Sequence, residues 1–211
     1  MSAATNANND TALLMVDIQN DFCPQGALAV ANGAAIVPIV NRLQEKFQVR
    51  ILAQDWHPAD HGSFASSHQG AEPFSVIQMP YGDQVLWPNH CVQGTRGAEF
   101  HPDLITDNAD LVLRKGFRRE IDSYSAFFEN DRATRTGLEG YLRERGVTRL
   151  VMTGLATDFC VYYSAMDATK LGFQVTLVPD ACGAIDLDGS LAAANEAMAG
   201  AGVAFVMSDK F

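Results

Sequence analysis

The sequence predicts a three-layer α/β fold, doubly wound, with helices on both faces of a mostly parallel six-stranded sheet. Two observations carry that prediction. Six short segments rich in Val, Leu, Ile or Met recur along the chain, most of them apolar throughout instead of alternating, which is the pattern of strands buried on both faces. Helical stretches separate several of them, as parallel strands require.

The first strand is Ala12–Val16. A helix follows, placing Ile36, Ile39, Val40, Leu43 and Phe47 on one face, with Pro38 near its start. Val49–Ala53, Leu111–Leu113 and Leu150–Thr153 are the next three strands. A helix from Thr157 aligns Val161, Ala165 and Ala168, and Thr157 is placed to cap it. Val175–Val178 and Val203–Met207 complete the sheet, separated by an Ala-rich helix near Leu191–Ala199 that propensity favours. Residues 11–211 are read as one domain behind a flexible polar tail of residues 1–10.

Composition narrows the function. Of 211 residues, 47% are hydrophobic, enough for one large core without disulfide support. A formal net charge of -10 has the wrong sign for embracing a phosphate backbone, so nucleic acid is not an expected partner. No apolar run reaches the roughly 20 residues of a membrane span, and residues 1–10 lack the order of a signal peptide. A cytoplasmic protein that does not bind membranes is expected; the subunit count is open, a homo-oligomer included. Cys23, Cys91, Cys160 and Cys182 form no CxxC pair, which leaves neither a zinc finger nor a dithiol redox motif.

Residues 55–102 break the rhythm. This stretch holds both Trp and all five His, with five Gly and five Pro, and little periodicity. Long irregular insertions of this kind carry function more often than not. Within it, Asp55 and His57 stand two residues apart past a strand, so that an extended backbone sends both side chains the same way. His90 supplies a third donor, and one carboxylate with two imidazoles suits zinc, iron or manganese. His61 and His68 suit a surface or supporting role, and His101, followed by Pro, a structural one.

In an open parallel sheet the ligand crevice lies beyond the carboxyl ends of the strands. The residues that follow the predicted strands are Asp17, Asp55, Lys115 and, one helical turn on, Cys160. Cys160 falls in the first turn of its helix, where free N–H groups and the helix dipole favour thiolate and can hold an oxyanion. The plainer alternative is a small thiol packing the core, which is the reading given to the other three cysteines. Lys115 at the sheet edge needs a carboxylate partner, for which Asp17 is placed; a lysine between a carboxylate and a thiol lowers the pKa of both. On those two residues alone, a structural ion pair serves equally well.

Several ordered motifs resemble the nicotinamidase/pyrazinamidase branch of the isochorismatase-like hydrolases. They are Val16-Asp17-Ile18-Gln19-Asn20-Asp21-Phe22-Cys23, Gln54-Asp55-Trp56-His57-Pro58, Trp87-Pro88-Asn89-His90-Cys91-Val92, Lys115-Gly116, Asp122-Ser123-Tyr124-Ser125-Ala126-Phe127, and Gly154-Leu155-Ala156-Thr157-Asp158-Phe159-Cys160-Val161. The likeness runs from about Ala12 to Val206. It implies hydrolysis of nicotinamide, and of pyrazinamide, to the acid and ammonia through a thioester, in service of NAD salvage. Asp17, Lys115 and Cys160 are the implied triad, and Asp55, His57 and His90 the implied ligands of one divalent metal ion, zinc foremost. The metal is expected to hold the pyridine nitrogen, directly or through a bound water. Phe22, Trp87 and Tyr124 match aromatics that flank the ring, and the N–H groups of Ala156 and Cys160 match the oxyanion hole. A non-proline cis peptide is implied before Thr157, at Ala156–Thr157. His61 is a ligand in some relatives with a different loop spacing, which leaves its role here open.

Rival readings are a carbamoyl or ureido amidase, a vinyl ether hydrolase and a catalytically silent module. Asp55, His57 and His90 argue against the first and Cys160 against the second. The complete triad argues against the third.

Overall fold

The computed structural model describes residues 10–211. Except for Asp10, the segment expected to form a polar tail lies outside the described residues. Six strands form the main sheet: β1 (Thr11–Val16), β2 (Val49–Asp55), β5 (Leu111–Lys115), β6 (Arg149–Leu155), β7 (Gln174–Gly183) and β8 (Ala204–Phe205). Their spatial order is β5-β2-β1-β6-β7-β8, and every pairing is parallel.

The apolar runs form strands because both faces of the sheet are covered. In β1, Ala12, Leu14 and Val16 face one core while Leu13 and Met15 face the other, and all five are fully buried. On one side lies α1 (Val37–Gln44), which packs Val37, Val40 and Leu43 inward. Pro38 sits in its first turn, where the missing N–H is no loss and the fixed φ suits a helix start. On the other side lie α2 (Leu138–Glu144), α3 (Tyr162–Lys170) and α4 (Ser190–Gly200), contributing Leu138, Leu142, Ala165, Ala168, Ala194 and Met198.

The predicted strands are all present, and β2, β5, β6 and β7 run farther than their apolar stretches suggest. β8 is shorter, because only Ala204 and Phe205 reach β7 before the chain turns away. Two elements were not anticipated. One is α2; the other is an antiparallel hairpin, β3 (Val76–Met79) and β4 (Gly82–Val85), inside the irregular insertion. Among the described residues, no helix is long and apolar enough to cross a membrane.

The sheet order matters for chemistry because it sets four carboxyl ends side by side. Asp55 pairs in register with Lys115, and Val16 pairs with both Ala53 and Gly154. Lys115, Asp55, Asp17 and the turn after β6 therefore lie in sequence along one sheet edge. The order reverses between β1 and β6, the topological switch point at which such sheets form their crevice. Gly154 keeps this junction tight: its φ is +121°, and a Cβ there would lie 2.0 Å from the Val16 carbonyl oxygen.

Candidate active site

β1 delivers Asp17 directly after its last residue, in a left-handed backbone conformation (φ 50°) that Asp tolerates better than bulkier residues. β2 ends on Asp55 and β5 on Lys115, and both side chains are buried. Cys160 comes from the wide turn Thr157–Val161 that joins β6 to α3, a turn closed by the Val161 N–H on the Ala156 carbonyl at 3.1 Å. Turns with this i→i−5 bond cluster at functional sites.

Two local expectations fail here. The cis peptide is Leu155–Ala156, at the last residue of β6 and one bond earlier than Ala156–Thr157. The peptide N–H at that bond is that of Ala156, whereas the expected bond carries that of Thr157. Thr157 does not cap the helix: the turn is wide, Ala156 takes the cap position, and the Thr157 hydroxyl donates to the Gly183 carbonyl of β7 at 3.1 Å.

Lys115 is the hub. Its ammonium donates to Asp55 Oδ1 at 2.5 Å, to the Ser123 carbonyl at 2.9 Å and to Cys160 Sγ at 3.4 Å. Asp17 Oδ2 lies 2.8 Å from the same nitrogen as an ion pair, yet neither oxygen of Asp17 receives an aligned hydrogen bond. Ligand atoms of Asp17, Asp55 and Cys160 all lie within 4.8 Å of one another.

The electrostatics differ from the simple expectation. Burial raises the Asp17 carboxyl to about 7, with Lys115 opposing and Asp55 adding to the shift. Burial likewise pushes the Cys160 thiol well above its ordinary value, against the pull of Lys115. The lysine does favour both ionised forms, but desolvation outweighs it. The Asp55 carboxyl goes the other way: burial would raise it, and Lys115 with the nearby imidazoles holds it well below the usual range. Burial also lifts Cys23 to about 11 and Cys182 to about 12, so the other thiols are no better ionised. All four cysteines are free.

Asp55 also faces the imidazoles. Its Oδ2 is 3.6 Å from His57 Nε2 and 3.9 Å from His90 Nε2. His57 Nδ1 donates to the Gly116 carbonyl and His90 Nδ1 to the Pro88 carbonyl, both at 2.8 Å. Because a carbonyl only accepts, these bonds place the ring protons on Nδ1 and leave the Nε2 lone pairs aimed at Asp55. One carboxylate oxygen and two such lone pairs, all buried, fit a divalent metal ion. The His61 ring lies 4.4 Å from that of His57, tilted by 39°, but its nitrogens meet Ser63 Oγ at 2.7 Å and the Ile121 carbonyl at 3.3 Å. It groups with His57 and Asp122, not with the Asp55–His57–His90 set.

Above these groups is a narrow cavity. Phe22, Trp87, Tyr124 and Ala156, all singled out in the sequence, line it together with Cys160 and the metal-donor set. Leu28, Phe159, Ile185 and Asp122 line it too and had not been assigned a role. Phe159, next to Cys160, stands edge-on to Trp87 at 4.9 Å. Adjacency to the thiol was the signal available for it; Leu28 and Ile185 arrive on distant loops and carry none.

The Isochorismatase domain family matches residues 11–209, and the chain belongs to that family. The nicotinamidase of Acinetobacter baylyi is 54% identical over 200 residues, covering 95% of this chain and 94% of that one. A solved nicotinamidase/pyrazinamidase of Acinetobacter baumanii superposes with a TM-score of 0.95 at 51% identity, over 96% of this chain and 98% of that one. The pyrazinamidase of Pyrococcus horikoshii, solved in complex with zinc, is similar at 36% identity and a TM-score of 0.77, over 94% and 99% of the two chains.

Proposed function

We propose that the protein hydrolyses nicotinamide, and pyrazinamide, to the carboxylic acid and ammonia through a thioester on Cys160. The observation that carries this reading is the buried meeting of Asp17, Lys115 and Cys160 at one end of the sheet. The Lys115 ammonium lies 2.8 Å from Asp17 Oδ2 and 3.4 Å from Cys160 Sγ, so that the proton acceptor and the thiol share one cation.

Asp17, with a carboxyl near 7, is suited to exchange protons at neutral pH. It takes the thiol proton as Sγ bonds to the carboxamide carbon, while the carbonyl electron pair moves onto oxygen. The N–H groups of Ala156 and Cys160 are assigned to that oxyanion; those of Phe159 and Val161 are occupied by the Ala156 carbonyl. The C–N bond then breaks, Asp17 returns its proton to the departing nitrogen, and ammonia leaves. Water adds to the thioester as Asp17 takes its proton, the C–S bond breaks, and the sulfur recovers the proton from Asp17. The product acid ionises. Lys115 stabilises each anionic stage.

Phe22, Trp87 and Tyr124 hold the ring, and Asp55, His57 and His90 would hold one divalent ion, for which we propose zinc. Such an ion supplies an electrophilic anchor for the pyridine nitrogen, which fixes the carboxamide against the thiol. The purified protein is expected to release ammonia from nicotinamide, to lose that activity on chelation and to regain it with zinc. Absence of ammonia release would contradict the assignment of substrate. Undiminished activity in protein shown to be metal-free would contradict the anchor alone.

A further inference from the structure

Gln19 and Asp21 lie outside the cavity and touch none of its contents, yet both reach the main chain of the metal-donor residues. β1 ends at Val16, two residues short of flanking the end of β2, and there the Gln19 side chain takes over from the missing strand. The Asp55 N–H donates to Gln19 Oε1 at 2.8 Å, and Gln19 Nε2 donates to the Asp55 carbonyl at 2.8 Å and to the Ala98 carbonyl at 2.9 Å. A primary amide thus acts as a surrogate peptide, bonding both polar groups of Asp55. Gln19 is fully buried.

Asp21 does the same for the other two donors. Its Oδ2 accepts the Cys91 N–H at 2.7 Å, which fixes the peptide between His90 and Cys91. Cys91 sits in a left-handed conformation (φ 47°), and its carbonyl accepts the His57 N–H at 3.0 Å. One carboxylate oxygen therefore references the backbones of His90 and His57 to the segment that carries Gln19 and begins at Asp17.

We infer that Gln19 and Asp21 are positioning residues that set the spacing of Asp55, His57 and His90, so that the loop after β1 is the common frame of metal-donor set and proton acceptor. This rests on the metal reading above. Residues that orient metal ligands are generally worth about 10–100-fold in affinity.

The probe is zinc alone, titrated into stripped full-length protein against a chromophoric chelator. Gln19→Leu is expected to weaken zinc binding about 10–100-fold. Gly97→Ala keeps both side chains but puts a Cβ 2.0 Å from Asp21 Oδ2, which forces the carboxylate off the Cys91 N–H, and is expected to weaken binding on the same scale. Asp21→Asn keeps an acceptor for the Cys91 N–H but gives up the Oδ1 acceptor of the Ala27 N–H at 3.2 Å, and is expected to weaken zinc binding less than Gly97→Ala does. If Gln19→Leu does not fold, Gly97→Ala carries the test. A merely structural pair would lower the melting temperature and leave zinc affinity unchanged; that result, with one zinc bound by wild type and lost in His57→Ala, overturns the positioning role alone. A wild type that takes up no zinc overturns the metal reading and this inference with it.

Discussion

Replacing Cys160 with alanine is expected to lower kcat on nicotinamide by about 10⁴-fold or more, the scale on which loss of a covalent nucleophile acts, while binding of nicotinamide changes little. The two should separate because the cavity walls come from other residues, Phe22, Trp87, Tyr124 and Phe159 among them. Sγ contributes one long contact to the ammonium, at 3.4 Å, and Lys115 keeps its bonds to Asp55 and Ser123 without it. Steady-state kinetics with a calorimetric binding titration reads both quantities. An active variant contradicts the covalent route.

The second large effect is on the fold as well as the reaction. Lys115 is fully buried between Asp17 and Asp55, which are buried too. Lys115→Met removes the only cation between two carboxylates and leaves like charges unpaired out of water. Removing one partner from a buried ion pair costs about 3–5 kcal/mol, or roughly 6–20 °C in Tm for a chain of this size. The sign of its pH dependence follows from Asp17. Its folded carboxyl already lies near 7, above the unfolded value of about 3.9, so the folded state binds more protons and loses stability as pH rises through that window. Without the ammonium the folded value climbs higher and the window extends upward. The stability deficit of the variant is therefore expected to widen between about pH 6 and pH 9. Thermal melts of both proteins across that range check it; a deficit independent of pH contradicts the role given to Lys115.

How much of this was legible in the sequence depends on the range of the interactions involved. The strands and three of the helices were readable because burial on both faces of a parallel sheet imposes long apolar runs, as in β1, and their ends pointed to Asp17, Asp55, Lys115 and the Cys160 turn. The helix α2 was not readable: it buries only Leu138 and Leu142 within a short stretch rich in Arg and Glu. The β3–β4 hairpin was missed because its positions are exposed or half-exposed apart from Gln84, a polar residue, which leaves little apolar contrast, with only Pro80 and Gly82 to mark the turn. Within the site, residue identity indicated which groups meet but not the balance of forces on them. The sequence pattern placed Lys115 against Asp17, but that Asp55 serves both the ammonium and the imidazoles depends on β2 and β5 pairing in register. That burial outweighs the lysine at Asp17 and Cys160 depends on the whole surrounding core, which no local motif encodes. The same holds for Gln19 and Asp21, whose partners lie 36 and 70 residues away.

The central chemical claim is the bond between the substrate acyl group and one particular sulfur. Acid quenching during turnover of nicotinamide, followed by peptide mass spectrometry, is expected to find a nicotinoyl group on Cys160. A nicotinoyl group on Cys23, Cys91 or Cys182 instead, or on no cysteine under conditions where product accumulates, would contradict it.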